Sequence, residues 1–155
     1  MSQFIKKFNS KIFFYKNSII ETHGNILNKI YNGNKIKIFD HSYNSSPYSL
    51  KKQLFFFNQR KLSKKLCIIG SMKELGENSI NYHIEIINMI SLLKINKTIF
   101  IREEFYKIRI NFKKYNFYKS YKSYLKFMNN DFITFKNIFV MGSRSNQLNK
   151  IIEKI

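Results

Sequence analysis

Two short polar runs in this 155-residue chain carry side chains able to bind a charged or aromatic ligand: Asp40-His41-Ser42-Tyr43-Asn44 and Gly142-Ser143-Arg144-Ser145. In the first, Tyr43 can stack on a base or ribose and Asn44 can hydrogen-bond to it, although an Asn in a turn also commonly bonds its own backbone. Asp40 reads equally as an ordinary cap at a strand end. In the second, a Gly-Ser-Arg-Ser run between an apolar strand and a helix would offer an anion free backbone N–H groups and a positive dipole end. Arg144 would add a bidentate contact to carboxylate or phosphate. A helix cap with a surface Arg fits the same four residues. Glu74 and Glu77 flank Gly76, where they would cap or solvate a turn in preference to metal or acid–base work. His83, on an apolar face, reads as a packing residue, and Cys67, inside Leu66-Cys67-Ile68-Ile69, as a small buried one. No phosphate loop of the form G-x-x-x-x-G-K-[ST], metal-spaced His/Cys cluster or Ser/His/Asp arrangement occurs, so no catalytic or metal-binding residue is assigned.

The elements that must position these runs follow from periodicity. Residues 35–39 alternate Lys, Ile, Lys, Ile, Phe like a strand, and the polar cluster 40–46 ends it. Residues 21–31 pair with it through Asn32-Gly33-Asn34, a hairpin turn in which Asn-Gly supplies positive φ. Pro47 opens a helix to about residue 60 whose Leu50, Leu54 and Phe57 share a face. Residues 66–69 form a strand buried on both sides. Ser79 is the expected N-cap of a helix with an inward stripe of Ile80, His83, Ile84, Ile87 and Ile90. Strands follow at 98–101 and 137–141, with a short helix and short strand between 102 and 118 and helical spacing at Tyr121, Tyr124, Leu125 and Met128. Leu148, Ile151, Ile152 and Ile155 give a final apolar helix. Alternating strands and helices predict an α/β fold with a mostly parallel sheet, a helical layer on each face and functional loops at the carboxyl strand ends. Tyr43, Glu74 and Arg144 are therefore expected along one edge.

A formal charge of +19 and a pI near 10.0 would ordinarily point to nucleic acid or an anionic membrane. Lys, Asn, Ile, Phe and Tyr dominate throughout, Ala and Trp are absent and Val140 is the lone Val, as when A/T-rich codons are favoured. The charge is then largely background, spread over a solvated surface. The same bias makes rare residues informative: Gly70, Gly76, Gly142 and Pro47 all lie in the polar loops or next to them. A lone cysteine excludes an intramolecular disulfide. No run approaches the ~18 apolar residues of a membrane span, so a cytoplasmic location is expected. Residues 1–20 read as a basic lead or remnant linker, faintly like a transit segment, and 21–155 as one domain.

Three collinear segments carry a resemblance. Asp40-His41-Ser42-Tyr43-Asn44-Ser45-Ser46-Pro47 resembles the D-D/E-S-Y-N-A-N-P loop that opens the C-terminal domain of the MurF-type Mur ligases. Ile69-Gly70-Ser71-Met72-Lys73-Glu74-Leu75-Gly76-Glu77, with Ser79 and His83, is similar to that family's G-D-M-x-E-L-G-E-x-S-x-x-x-H. Val140-Met141-Gly142-Ser143-Arg144-Ser145 is similar to its V-K-G-S-R-S. Near Thr22-His23-Gly24, His23 stands where the family usually has the Arg of a Gly-Arg pair. The resemblance covers roughly residues 21–155 and implies a Rossmann-like three-layer domain preceded by a β-hairpin.

For function it implies ATP-dependent peptide-bond formation, in which Mg-ATP phosphorylates the carboxylate of UDP-N-acetylmuramoyl-tripeptide and the amine of D-alanyl-D-alanine attacks the acyl phosphate. By resemblance, Asp40, His41, Tyr43 and Asn44 face the nucleotide, and Gly142, Ser143, Arg144 and Ser145 the acceptor or another anion. The family's phosphate loop and most of its metal ligands belong to a central domain and its UDP-sugar site to an N-terminal one. Separately encoded partner domains are expected, and the chain alone is expected to be inactive. His41 stands where an acid is usual, Ser71 where the motif has Asp and Met141 where it has Lys, and each change removes a charge. The alternatives are a small basic nucleic-acid-binding protein of ribosomal type, which requires Lys, Arg and aromatic side chains on one face, and a module that recognises a partner enzyme through an exposed apolar patch.

Overall fold

A computed structural model describes residues 24–155. The basic lead at 1–20 and the Thr22-His23 alignment lie outside the described residues. Strands β1 (Asn25–Tyr31) and β2 (Asn34–His41) form an antiparallel hairpin closed by Asn32 and Gly33, whose φ angles of 46° and 76° are the left-handed values the Asn-Gly pair tolerates. The alternating stretch does not stop at Phe39 as expected. Asp40 and His41 continue β2, pairing with Val140 and Met141, because a parallel neighbour supplies the ladder their polarity would not have requested.

Helix α1 (Pro47–Gln59) starts at Ser46, whose hydroxyl accepts the Ser49 N–H in a capping box, with Pro47 in the first turn. Strand β3 (Lys65–Gly70) is buried along its whole length. The expected Ser79 cap is corrected: Ser79 is already the first residue of α2 (Ser79–Ile90). A 3₁₀ turn, Gly76–Asn78, runs directly into that helix and the Ser79 N–H donates to Gly76 O, so backbone replaces a side-chain cap. Strand β4 (Lys97–Ile101), helix α3 (Glu103–Ile108), a 3₁₀ turn (Arg109–Phe112) and strand β5 (Asn116–Tyr118) follow. The helical spacing from Tyr121 is shared by two short helices, α4 (Tyr121–Leu125) and α5 (Met128–Thr134), and β6 spans Asn137–Met141. The final helix shrinks to one turn, α6 (Asn149–Ile152). It follows a 3₁₀ turn, Arg144–Asn146, and Gln147 at φ 56°, a left-handed residue that interrupts any longer helix.

The sheet order is β1-β2-β6-β3-β4-β5, parallel apart from β1. Side chains alternate across it with period two. Phe39, Cys67, Ile69, Phe100 and Phe139 pack against α1, α2 and α3, whereas Ile38, Leu66, Ile68, Ile99, Ile138 and Val140 pack against α4, α5 and α6. This is the expected three-layer α/β architecture with a leading hairpin. Cys67 is fully buried, which pushes its thiol far above the usual range and leaves it a packing residue.

Phe139 sits at the centre of β6, its ring 5.4 Å from Phe57 and 5.3 Å from His41. Replacing it with Ala removes a buried ring that neighbouring strands cannot collapse to fill. A loss of about 3–5 kcal/mol in unfolding free energy is expected, measured by urea denaturation.

Candidate functional site

Because β2, β6, β3, β4 and β5 are mutually parallel, their carboxyl ends open on one rim. The three polar loops meet there. Lys73 N–H donates to Ser143 Oγ (3.1 Å), Ser143 N–H to Ser71 O (3.4 Å) and Asn146 Nδ2 to Ser71 O (2.7 Å), binding the loop after β3 to the loop after β6. Glycine makes this approach possible, since a β-carbon on Gly142 would stand 2.9 Å from Gly70 Cα. Glu74 projects from the same β3 loop, exposed and at φ 60°.

Across β2 and β6 the Arg144 guanidinium lies over the Tyr43 ring, 5.7 Å from its centroid, and Tyr43 is 74% exposed. The loop after β2 leads to α1 on one face of the sheet and the loop after β6 to α6 on the other. This pair therefore straddles the place where the chain switches faces, the usual crevice of an open α/β sheet. Tyr43, Glu74 and Arg144 share the expected edge.

The other expected site residues are placed as follows. Asp40 Oδ1 accepts the Ser42 N–H (2.9 Å) and Asn44 Oδ1 the Ser45 N–H (2.8 Å), so both brace the turn that presents Tyr43. His41 packs on Phe139 and against Gly24. Burial lowers its pKa, with Asp40 opposing and Arg60 assisting, so the ring is neutral near pH 7. Gly142 and Ser143 are buried braces, and Ser145 O accepts a hydrogen bond from the Arg102 guanidinium. The expectation of a helix dipole behind residues 142–145 is corrected, since the helix beyond is a single turn, and of their N–H groups that of Ser143 is spent on Ser71 O. The exposed Arg144 side chain is the charged group this loop offers an anion. The two departures nearby are both buried, Ser71 as the carbonyl that holds Asn146 and Ser143, and Met141 within the core.

His83 is the packing residue expected. Its Nε2 accepts the Met72 N–H (3.0 Å), its Nδ1–H donates to Ser79 O (2.6 Å), and its ring meets Phe105 edge-on, so it shapes the loop after β3 from below. Burial lowers its pKa, outweighing the Ser79 carbonyl.

Sequence reasoning missed four rim residues. Arg102, directly after β4, has φ 94° and ψ 172°, a region nearly confined to Gly. Lys73 pairs with Glu104. Burial works to raise the Glu104 pKa, but the hydrogen bond and charge of Lys73 prevail and hold it below its ordinary value. Asn146 is only 1% exposed. Among the described residues, the buried side-chain atoms without a partner are Ser45 Oγ, Arg102 Nε, Glu104 Oε2 and Asn146 Oδ1, and all four belong to this rim. The available signal was Arg-Glu-Glu immediately after an apolar strand. Among the described residues no three His, Cys, Asp or Glu side chains group as a metal site, and no helix is long and apolar enough to cross a membrane.

No family model matches the chain. It is 36% identical over 127 residues to the UDP-N-acetylmuramoyl-tripeptide--D-alanyl-D-alanine ligase of Buchnera aphidicola, covering 79% of this chain and 27% of that protein. To the ligase of the same name from Rickettsia prowazekii it is 29% identical over 128 residues, covering 81% and 28%. Among solved structures, MurF from Acinetobacter baumannii superposes with a TM-score of 0.74 at 17% identity, covering 88% of this chain and 30% of that one. MurF from Thermotoga maritima in complex with ADP superposes at 0.65 and 20% identity, covering 90% and 32%.

The hairpin, the mostly parallel sheet and the three rim loops define a Mur ligase C-terminal type of domain. Within that class the chain belongs to the MurF-type ligases, and it spans little more than a quarter of the length of the curated relatives it matches.

Both described histidines are held neutral, so the folded state binds fewer protons than the unfolded chain once the pH drops below the unperturbed value of about 6.5. Stability is expected to be full above that pH and to fall as the pH is lowered through it. Urea midpoints at successive pH values check this, and His83→Gln is expected to flatten the slope.

Proposed function

We propose that this chain serves as the nucleotide- and acceptor-facing domain of an ATP-dependent ligase that joins D-alanyl-D-alanine to UDP-N-acetylmuramoyl-tripeptide in peptidoglycan precursor synthesis. The observation that carries this reading is the Tyr43–Arg144 stack at the crevice where the family-like loops converge. Tyr43 offers a ring to the adenine or ribose, with Asp40 and Asn44 holding its turn, and Arg144 stands where a phosphate or carboxylate meets that ring. Bound Mg-ATP would supply the phosphoryl group that activates the tripeptide carboxylate. This chain's residues hold and orient, while the phosphate loop, the metal ligands and the UDP-sugar site come from N-terminal and central ligase domains, whether in the same polypeptide or another. On this reading the reaction takes place in the cytoplasm, and this domain alone would not turn over.

The polyanion-binding reading has less support. Among the described residues, exposed lysines are spread over the hairpin (Lys35, Lys37), α3 (Lys107), the turn after α4 (Lys126) and α6 (Lys150).

The test combines this chain with the N-terminal and central domains of the Buchnera ligase and follows ligation that requires ATP, UDP-N-acetylmuramoyl-tripeptide and D-alanyl-D-alanine together. Turnover is expected to be restored. Tyr43→Ala should raise the KM for ATP about tenfold with the fold intact, since stacking on an aromatic ring is worth ~1–3 kcal/mol. If the relative's own C-terminal domain restores turnover and this chain does not, the reading fails.

A further inference from the structure

We propose that Arg102, Glu104 and Asn146 form a subsite for a zwitterion, with Arg102 taking a carboxylate and Glu104 and Asn146 taking a free ammonium group. The proposal rests on the acceptor-facing role proposed above and assigns the two ends of the acceptor dipeptide to residues outside the family-like loops and to the last residue of the turn beyond the third. Arg102 is held at φ 94° and ψ 172° with Nε buried and unpartnered. Such a backbone is costly to hold and clusters at functional sites. Its guanidinium reaches only a neutral acceptor, Ser145 O, at the exposed edge of the rim. A ligand carboxylate can replace that carbonyl without disturbing the core and would make a charge-assisted bond roughly twice as strong.

The acceptors belong to the same rim. Asn146 is buried, and its Nδ2 is committed to Ser71 O at 2.7 Å, which orients the amide and leaves Oδ1 with no partner. Glu104 gives Oε1 to Lys73 and keeps Oε2 unpaired. Shared bonds to the loops after β3 and β6 hold these groups together: Lys73 joins Glu104 to Ser143, Ser71 holds Asn146, and Arg102 holds Ser145. A lone anion such as phosphate would satisfy the donor but face the Glu104 carboxylate. A molecule with both an ammonium and a carboxylate satisfies donor and acceptors at once.

The experiment is an NMR titration of the full 155-residue chain with D-alanyl-D-alanine, its N-acetylated form, its C-terminal amide and inorganic phosphate. D-alanyl-D-alanine should shift the Arg102 Nε–H and Asn146 side-chain amide signals, and each of the other three should bind at least about tenfold more weakly, as expected for losing a hydrogen bond to a charged group. Arg102→Gly suits the observed backbone and should melt at the same temperature or higher, yet lose the dipeptide response, while Arg102→Lys should recover part of it. Equal binding of the N-acetylated or amidated dipeptide, or an unchanged response in Arg102→Gly, overturns the proposal. So does an unperturbed wild-type spectrum. In that case turnover with the Buchnera domains would show that the ligase reading stands and only this subsite fails.

Discussion

The insertion of β6 between β2 and β3, parallel to both, is the constraint on which this molecule depends. The last strand in the chain thereby becomes the centre of the sheet, and its residues 137–141 are buried without exception. Only this placement brings Gly142 against Gly70 and lets Ser71 hold Asn146 and Ser143. Without it the loops after β3 and β6 would have no common scaffold, and Arg144 could not reach Tyr43. A parallel neighbour also explains why β2 continues through Asp40 and His41 despite their polarity.

The rim contrasts with the rest of the interior. Elsewhere among the described residues the buried polar side chains have partners: Lys65 donates to Asn58 O, and Asp131 accepts from both Lys97 and the Tyr124 hydroxyl. The buried atoms without partners collect at the carboxyl rim, together with Arg102 and Glu74 in left-handed backbone. Strain and unmet hydrogen bonding are costs that a well-packed domain sheds where nothing else is required of it. The concentration of the unpartnered buried atoms at the end of the sheet where α/β folds bind ligands ties energetics to the proposed function.

Two kinds of side chain share that rim. Asp40, Asn44, Ser143 and His83 spend their hydrogen bonds on backbone and so determine loop shape. Tyr43, Arg144, Arg102 and Glu104 keep a face or an atom available. The distinction follows from partners, because Asn44 and Tyr43 are neighbours in the same turn and differ only in what each meets. A residue's place in a family-like motif therefore does not reveal whether it holds the loop or the ligand.

Sequence by itself determined the strands, the Asn-Gly hairpin, the capped start of α1, the three-layer class and the edge shared by Tyr43, Glu74 and Arg144. These depend on local periodicity and on the direction of parallel strands, which residue types encode directly. Tertiary structure alone decided that Asp40 and His41 belong to a strand, that Gly76–Asn78 starts α2 without a Ser79 cap, and that the chain beyond Arg144 is a turn and not a long helix. It alone also brought Arg102, Glu104 and Asn146 together, since strain at a φ angle and a missing hydrogen-bond partner arise from packing between segments far apart in sequence, which no local pattern carries.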